Sequence, residues 1–433
     1  MKNKKIVILF FILLINIISY CFIKKYFYKN SVNNIFINDK DKIIILLKDN
    51  TKTYCSLDNI NWVLSNNSMC SFDFNENNKY IFLKNKYGYK IKLYNRYNLS
   101  SIKEFNIKNN KIYLAIGGNE KIDYYLDSIT NKDDKISFRS LDNDIATVDE
   151  FGKVFGNSVG NTKILIELEN YSFEVNVIVT DLIVNKPSDY NYKKEYISCN
   201  EFSEFDNDLV DEILLNRINK VGISTRASVV EAARFMTMEF SRRIPYFAEN
   251  GRLTMNNIDA EGRYYKSGMF LNESRYKYID KSMHGPKSWG CNMYSFPVDR
   301  VIPNGLDCSG FVSWAFINGG FEVGDIGAGI TPVKDFTDLG KKINIKTSIE
   351  NNKIIVGDLL SGKFANGGHI AIVIGINNGY YYIAESLYED NHTYYGVIAR
   401  KYSFNELSNY FSWHIDMTDL YKIDGILTDY WIN

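Results

Sequence analysis

The chain has 433 residues, of which 45% are hydrophobic, so it is long and apolar enough for about two to four domains with real cores. Its 51 Lys and Arg residues balance 51 Asp and Glu residues, and this balance gives no argument for nucleic acid or for a polybasic membrane contact. Aromatic residues make up 15% of the chain. That content fits strand-rich extracellular modules or, equally, a bias in codon composition.

Residues 1–30 have the pattern of a membrane-targeting segment. Three lysines lie among the first five residues, ahead of an apolar run at 6–23 that only Asn16 and Ser19 interrupt. At about 1.5 Å per residue, this run is long enough to cross a bilayer. A cleavable signal peptide has a shorter apolar region and a small-residue cleavage site, and residues 19–22 offer no such site. We therefore expect a cytoplasmic stub and an uncleaved transmembrane helix.

Residues 31–105 alternate short strand-like runs with Asn, Asp and Gly turns, a spacing typical of a small β-sandwich. The runs occupy 42–47, 60–64, 80–85 and 89–94. The segments 56–62 and 79–85 resemble bacterial immunoglobulin-like (Ig-like) repeats. Cys55 and Cys70 are candidates for a disulfide in an oxidising compartment. No chemistry is visible in this region, so we expect a spacer or binding module.

The second β region shows its hairpins in the segments 136–149, 151–156 and 159–164. Ile, Thr and Val alternate there around Asp and Gly turns, as tight hairpins require. The stretch resembles the group-two bacterial Ig-like domain, and the resemblance implies an all-β sandwich at 106–182. Residues 183–200, which contain Pro187 and a run of Tyr, Lys and Asn, are expected to form a linker.

Two helices are predicted near the start of the region 201–433. Apolar residues recur at helical spacing over 206–220 and again over 227–243. The second helix leads into Ile244-Pro245-Tyr246-Phe247. A polar and aromatic stretch at 247–305 follows and has the character of an insertion.

A turn that feeds into a helix is predicted around Cys308. Asp307 is suited to be the N-cap, because its carboxylate accepts hydrogen bonds from the N–H groups of the first turn. Apolar residues at helical spacing follow, and Gly319 and Gly320 end the helix. Cys308 therefore lies at a helix N-terminus, where the macrodipole stabilises a thiolate and favours a nucleophile near neutral pH.

His369 lies at the mouth of a buried-strand pattern at 367–375, and the next strand pattern, at 380–385, ends in Glu385. Acyl transfer to a thiol requires a nucleophile, a base and a group that holds the base. We predict that Cys308, His369 and Glu385 fill these roles. A carboxylate holds an imidazole tautomer well, and the alternative for Glu385 is a solvated strand end.

Three motifs now point to one family, and they lie at 307–311, 357–360 and 368–375. Together they resemble the NlpC-type cell-wall cysteine peptidases, which are papain-like enzymes, over about the last half of the chain. The resemblance implies an α+β papain-like domain at 201–433, with Cys308 as nucleophile and His369 as general base. It also implies that Tyr246 faces the nucleophile and that Asp307 and Ser309 lie beside the substrate or the oxyanion.

The chain departs from this family in three places. The family's Trp-Gly-Gly after the tyrosine is replaced by Phe247-Ala248-Glu249, and an alternative alignment on Trp289-Gly290 lacks a preceding helix. The stretch between Tyr246 and Cys308 is long. The third catalytic residue is commonly His, Asn or Gln in the family, whereas the best candidate in this chain is Glu385. These departures bear on substrate specificity.

The resemblance implies hydrolysis of an amide bond in the peptidoglycan stem peptide, typically between D-glutamyl and the diamino acid, without a cofactor. The expected protein is anchored by one membrane helix, faces the cell wall outside the cell, and has peptidoglycan but no nucleic acid as partner. The alternatives are a papain-like amidase or transpeptidase, and a non-catalytic wall-binding protein or adhesin. His284, His392 and His414 have no partner at metal-ligand spacing, which argues against a zinc enzyme. The absence of a Gly-x-Ser-x-Gly elbow argues against a serine hydrolase.

Overall fold

The structure is a computed structural model, and the residues it describes are 32–37, 42–48, 53–73, 80–85, 90–94, 102–128, 136–168, 171–185, 194–198, 204–247, 289–295, 300–323, 326–327, 334–364, 367–388 and 394–427. The predicted membrane helix at 6–23 lies outside these residues, as do His284 and His392. Among the helices that are described, none has both the length and the apolar composition needed to cross a membrane.

The first β region consists of two antiparallel sheets around one small core. Its strands are β1 (Val32–Ile37), β2 (Lys42–Leu47), β3 (Thr53–Ser56), β4 (Val63–Leu64), β5 (Met69–Asp73), β6 (Tyr80–Asn85) and β7 (Lys90–Tyr94). The sheet orders are β1-β2-β5 and β4-β3-β6-β7, and a disulfide from Cys55 to Cys70 joins them. The strand expected at 60–64 is shorter, because the Asp58 carboxylate accepts hydrogen bonds from the N–H groups of Ile60 and Asn61 and holds them in a turn.

The second β region is an all-β sandwich, as the sequence predicts. Its strands are β8 (Ile102–Ile107), β9 (Lys111–Ala115), β10 (Asn119–Lys121), β11 (Tyr124–Ser128), β12 (Ser137–Ser140), β13 (Ala146–Val148), β14 (Lys153–Gly156), β15 (Gly160–Leu168) and β16 (Tyr171–Thr180). The largest sheet has the order β12-β15-β16-β9, in which β16 and β9 run parallel. Gly152 lies in a turn with φ of 76°, a conformation that favours glycine.

The helices of the remaining chain are α1 (Glu204–Val221), α2 (Arg226–Arg234), α3 (Cys308–Asn318), α4 (Ile345–Glu350), α5 (Phe404–Tyr410) and α6 (Thr418–Tyr421). The helix predicted at 227–243 is shorter than expected, since a π-helical turn, Phe235–Glu239, follows α2 and ends it. Thr237 donates a hydrogen bond to the carbonyl of Ala233 at 2.7 Å, a bond that bends helices. Lys194 then ends the turn by donating to the carbonyls of Met236 and Phe240.

A six-stranded sheet forms the centre of the C-terminal region. The strands of this region are β17 (Asn292–Ser295), β18 (Arg300–Pro303), β19 (Ile326–Gly327), β20 (Lys334–Asp335), β21 (Lys341–Asn344), β22 (Leu359–Phe364), β23 (Gly367–Asn377), β24 (Tyr380–Tyr388), β25 (Tyr394–Ser403) and β26 (Trp413–Asp416). The sheet order is β21-β26-β22-β23-β24-β25. Helices α2 and α3 pack against each other and onto β23, and α3 also contacts β24. These contacts bring the start of α3 to the strands that carry His369 and Glu385.

Parts of the stretch predicted as a linker, 183–200, pack into this C-terminal core. Ile183 and Ile197 are both 3% exposed and belong to the same buried apolar cluster as α2 and α3. Ile183 forms a β-bridge with Phe240, and Tyr196 forms one with Arg243. At both of its described ends, therefore, this stretch is tied to the chain that follows α2.

A buried polar cluster fixes α2 to the central sheet. Asp358 is fully buried at the start of the 357–360 motif, and its carboxylate accepts from Arg226 at 3.1 Å and pairs with His414 at 2.8 Å. The second ring nitrogen of His414 lies 2.9 Å from the Ser348 hydroxyl. The same carboxylate also accepts from the backbone N–H groups of Ile355 and Met417. Asp358 thus joins helix α2, strand β26 and the loop before β22.

Candidate active site

The candidate nucleophile, Cys308, is the first residue of α3. Asp307 adopts an extended conformation before the helix and accepts a hydrogen bond from the N–H of Gly310 at 2.7 Å, as an N-cap does. The Ser309 hydroxyl lies 3.2 Å from the same carboxylate oxygen. The side chains of Asp307 and Ser309 are therefore engaged in shaping the helix start. Cys308 is 7% exposed and carries a free thiol.

His369 and Glu385 meet on neighbouring strands. His369 lies near the start of β23 and Glu385 lies on β24, and His369 Nε2 is 2.7 Å from Glu385 Oε2. Both side chains are buried, with side-chain exposures of 6% and 0%. Because an ionised carboxylate only accepts hydrogen bonds, Nε2 is protonated and donates to Glu385. The sequence offered a solvated strand end as the alternative for Glu385, and its full burial excludes that alternative.

The other carboxylate oxygen of Glu385 accepts hydrogen bonds from two side chains of β25. Arg400 Nε donates to Oε1 at 2.7 Å, and the Tyr402 hydroxyl donates to it at 3.0 Å. Burial raises the pKa of Glu385, but the hydrogen bond to His369 and the charge of Arg400 outweigh burial and lower this pKa to about 2. The charge of Glu385 in turn favours the charged form of Arg400, whose pKa is raised despite burial. Glu385 is therefore a carboxylate at neutral pH.

The thiol and the imidazole are adjacent. Cys308 Sγ lies 3.9 Å from the carbonyl of Gly368, the residue before His369. Burial lowers the pKa of His369, but hydrogen bonds to Cys308 and to Glu385 outweigh burial and raise this pKa to about 9. Since Nε2 is bound to Glu385, Nδ1 is the nitrogen available to the thiol. The ring also stacks on Phe411, with centroids 5.9 Å apart, which fixes its plane.

Tyr246 lies beside Cys308 because its segment pairs with the loop before α3. The N–H of Leu306 donates to the carbonyl of Pro245 at 3.1 Å, and the N–H of Phe247 donates back to Leu306 at 3.4 Å. The approach requires glycine at position 305, where a Cβ would stand 1.8 Å from the Pro245 carbonyl oxygen. Burial, followed by the charges of Cys308, Asp307 and Tyr388, raises the pKa of Tyr246 well above 10. Its hydroxyl is thus a hydrogen-bond donor at neutral pH.

Sequence reasoning missed the residues that support these groups. Arg400 and Tyr402 are two positions apart on β25 and therefore point to the same face of the sheet. Arg400 lies directly opposite Ile383, which is two positions before Glu385 on β24 and shares that face. The available signal was the arginine that follows the apolar run 397–399, with a tyrosine two positions later. Ser386 was also missed; it donates to the carbonyl of Leu306 at 2.6 Å and so ties β24 to the loop before Cys308. No cluster of three potential metal ligands occurs among the described residues.

Comparison with known proteins identifies the second β region. Residues 101–178 match the family model of the bacterial Ig-like domain (group 2). The chain therefore contains a group-two bacterial Ig-like domain, as its sequence predicts. No curated protein matches the chain.

Solved structures with bacterial Ig-like or surface-protein modules are also similar in part. Domains 4 and 5 of the S-layer protein SbsC are 20% identical, over 23% of this chain and 65% of that one, with a TM-score of 0.16. A bacterial Ig-like domain containing GH10 xylanase from termite gut is 21% identical, over 20% and 21% of the two chains, with a TM-score of 0.15. An intimin mutant of EHEC O157:H7 is 14% identical, over 47% and 93%, with a TM-score of 0.17. The chain thus spans less than two thirds of the first two structures.

Proposed function

We propose that the C-terminal region is a papain-like cysteine peptidase of the NlpC type that hydrolyses an amide bond of the peptidoglycan stem peptide. The observation that carries the proposal is the chain of contacts from Cys308 to His369 and from His369 to Glu385. These are a nucleophile, a base and a group that orients the base, in the order that acyl transfer to a thiol requires. The substrate class comes from the resemblance of the 307–311 and 368–375 motifs to that family.

The proposed mechanism begins with the thiolate of Cys308 and the imidazolium of His369. The sulfur attacks the scissile carbonyl carbon and forms a tetrahedral intermediate. The hydroxyl of Tyr246 and the backbone N–H groups at the start of α3 would donate hydrogen bonds to the developing oxyanion. His369 then protonates the leaving amine, so that a thioester remains on Cys308. His369 next takes a proton from water while the water oxygen attacks the thioester, and the tetrahedral intermediate collapses with the Cys308 thiolate as leaving group. The carboxylic acid product departs, and the thiolate–imidazolium pair is restored.

Disulfide bonds support a location outside the cytosol. Cys55 is bonded to Cys70, and Cys291 is also disulfide-bonded. Structural disulfides persist in oxidising compartments and are rare in the cytosol. An outward-facing enzyme with an N-terminal membrane anchor and Ig-like spacers would reach the cell wall. The placement of the enzyme at the membrane remains part of this proposal.

Digestion of purified peptidoglycan tests the proposal. The protein is incubated with the polymer, and the released fragments are identified by mass spectrometry alongside Cys308→Ala and Cys308→Ser variants. We expect cleavage within the stem peptide by the unmodified protein, with new amino and carboxyl ends, and a loss of at least about a thousandfold in either variant. Cleavage at the wild-type rate by Cys308→Ala would refute the cysteine mechanism.

A second measurement separates the chemistry from the substrate. Iodoacetamide labelling near neutral pH reports the reactivity of the Cys308 thiolate without any peptide substrate. We expect rapid labelling in the unmodified protein and slower labelling in His369→Ala. Rapid, His369-dependent labelling without cleavage of peptidoglycan would leave a thiol enzyme with another substrate. An unreactive Cys308 would leave the non-catalytic wall-binding alternative.

A further inference from the structure

The outer face of the sheet β4-β3-β6-β7 is aromatic and basic. Inward residues of this sheet, such as Cys55, Ile81 and Leu83, are at most 1% exposed, and the residues that alternate with them point away from the core. The outward side chains, together with one loop tryptophan, are called here the lysine–aromatic face. Its members are Tyr54, Trp62, Tyr80, Phe82, Lys84, Lys90 and Lys92.

Each lysine of this face lies over an aromatic ring. Lys84 Nζ is 4.5 Å from the ring centroid of Trp62 and 5.1 Å from that of Tyr54. Lys90 Nζ is 5.2 Å from the Trp62 centroid, so two ammonium groups share one indole. Lys92 Nζ is 3.4 Å from the centroid of Tyr80. The result is a surface on which positive charge and flat apolar area alternate at contact distance.

The arrangement of the charges is unfavourable for the protein alone. Lys84 on β6 is in register with Lys90 on β7, and like charges directly opposite each other destabilise a sheet. Lys92 follows on the same face of β7. Among the residues that the structure describes, none of these three lysines has an acidic partner. A bound anion would relieve this repulsion, which the protein's own described side chains leave uncompensated.

We infer that the lysine–aromatic face binds a polymer of sugar or polyol units joined by phosphodiesters. Ammonium groups pair with phosphate oxygens through charge-assisted hydrogen bonds. Aromatic rings such as Trp62 present flat apolar surfaces to the C–H groups of a polyol or sugar. Both halves of this chemistry are present on one face, and the site is independent of the cysteine site and of its proposed function.

The disulfide in the same domain favours this polymer over a nucleic acid. Aromatic rings with lysines also fit single-stranded RNA or DNA, on which bases stack. The Cys55–Cys70 bond links the two sheets of the domain, and such bonds are typical of proteins that fold outside the cytosol. Nucleic acid is not the usual polyanion of that compartment. A neutral glycan would leave the three lysines unpaired.

Binding of the full-length protein to lipid-free polyglycerol phosphate tests the inference. The test variant replaces Lys84, Lys90 and Lys92 together by glutamine, and a second variant replaces the same three by arginine. The matched control carries Lys121→Gln, Lys346→Gln and Lys353→Gln, three exposed lysines outside the face. We expect the test variant to bind about tenfold or more weakly at low salt and to lose most of the salt dependence. The control and the arginine variant should bind like the unmodified protein.

The ring contribution is measured with Trp62→Ala against Tyr125→Ala, which removes a 48% exposed tyrosine from the second β region. We expect about a threefold loss for Trp62→Ala and none for Tyr125→Ala. The melting temperature of each variant shows whether its domain is folded, and the arginine variant separates lost charge from lost folding. Equal binding by the glutamine variant and its control would overturn the inference. Tighter binding of single-stranded polyuridine than of polyglycerol phosphate would also overturn it, in favour of nucleic acid.

Discussion

Glu385 holds the imidazole of His369 and is itself held by Arg400. The carboxylate is fully buried, and each of its oxygens accepts at least one hydrogen bond from a side chain. A buried carboxylate with such partners stays ionised and stabilises the imidazolium beside it. Removal of this charge is therefore expected to change the pKa of His369 directly and to affect a substrate only through His369.

This leads to a prediction for the pH dependence of turnover. Deprotonation of the His369 imidazolium, with its pKa of about 9, is expected to set the basic limb of kcat/KM. Glu385→Gln keeps a hydrogen bond to His369 but removes the charge, so the basic limb should move to lower pH and the rate should fall by about tenfold to a hundredfold. Glu385→Ala should lose more, because it removes the acceptor that orients His369 as well as the charge. Basic limbs that coincide in all three proteins would contradict this role of Glu385.

The same two residues make a prediction for stability. The pKa of His369 rises from 6.5 to about 9 on folding, so its contribution is full below pH 6.5 and is lost as pH rises through 9. The pKa of Glu385 falls from 4.5 to about 2, so its contribution is full above pH 4.5 and is lost as pH falls through 2. Both contributions are complete only between about pH 4.5 and 6.5.

Lys194 also changes the stability with pH, so the stability curve of the wild type alone does not isolate the contributions of His369 and Glu385. Burial first, and then the charge of Arg243, lower the pKa of Lys194 from 10.5 to about 7, so this group makes stability rise with pH above 7. Lys194 is common to the wild type and to Glu385→Gln. We therefore expect the difference in melting temperature between these two proteins to shrink as pH rises from 6.5 to beyond 9. A difference that stays constant over this interval would contradict the His369–Glu385 coupling.

At the scale of elements, Asp358 joins helix α2 to the central sheet, and a prediction follows for its loss. Arg226 and His414 are buried and both contact this carboxylate, while Arg226 also pairs at 3.0 Å with Asp424, whose side chain is 79% exposed. Among the described residues, Asp358→Asn leaves the buried Arg226 charge with only the exposed carboxylate of Asp424, so this change should lower the free energy of unfolding by about 3 kcal/mol. Urea denaturation measures this change.

Ser348→Ala is the matched control for Asp358→Asn. Ser348, His414 and Asp358 are hydrogen-bonded in the order found in catalytic serine triads. All three side chains are fully buried, so no substrate reaches them. Ser348→Ala should cost about 1 kcal/mol of stability through one lost hydrogen bond. It should leave the iodoacetamide reactivity of Cys308 unchanged. Loss of that reactivity in Ser348→Ala would show that this cluster takes part in the chemistry.

Local signals in the sequence predicted the start of α3 correctly. They did not predict contacts between residues that are far apart in the sequence. Asp307 as N-cap and the end of the helix at Gly319 depend on a few adjacent residues, and the structure agrees with both. The contact of Arg400 with Glu385 depends on how β24 and β25 align, and that of Arg226 with Asp358 joins residues 132 positions apart. No local spacing encodes such pairs.

The prediction of one continuous helix at 227–243 was wrong for the same reason. Its apolar periodicity continues past Glu239, but α2 ends at Arg234 in the π-helical turn, where Lys194 from the preceding stretch donates to the carbonyls of Met236 and Phe240. Tertiary contacts thus overrode the local pattern. The π-helical turn lies where these contacts meet, so only the folded chain reveals it.

At the scale of the whole molecule, the Ig-like domain and the C-terminal region share a core. Tyr113 and Ala115 of β9 belong to the same buried apolar cluster as helices α2 and α3. Arg217 on α1 pairs with Glu239 at 2.8 Å and donates to the carbonyl of Tyr113 at 3.1 Å. Lys111 and Glu212 form a further ion pair across the boundary. A cavity of about 360 Å³ lies at this junction, away from Cys308.

The shared core predicts that the C-terminal region depends on the Ig-like domain for its stability. A chain of residues 183–433 would expose the apolar surface that Tyr113 and Ala115 cover, and would lose the carbonyl partner of Arg217. We therefore expect it to melt at a lower temperature than residues 101–433, while Arg217→Ala in the longer chain should lie between the two. Iodoacetamide labelling of Cys308 at low temperature shows whether the shortened chain still assembles the site. Equal melting temperatures for 183–433 and 101–433 would mean that the Ig-like domain is only a spacer, because its contacts would then contribute nothing to the fold that holds Cys308.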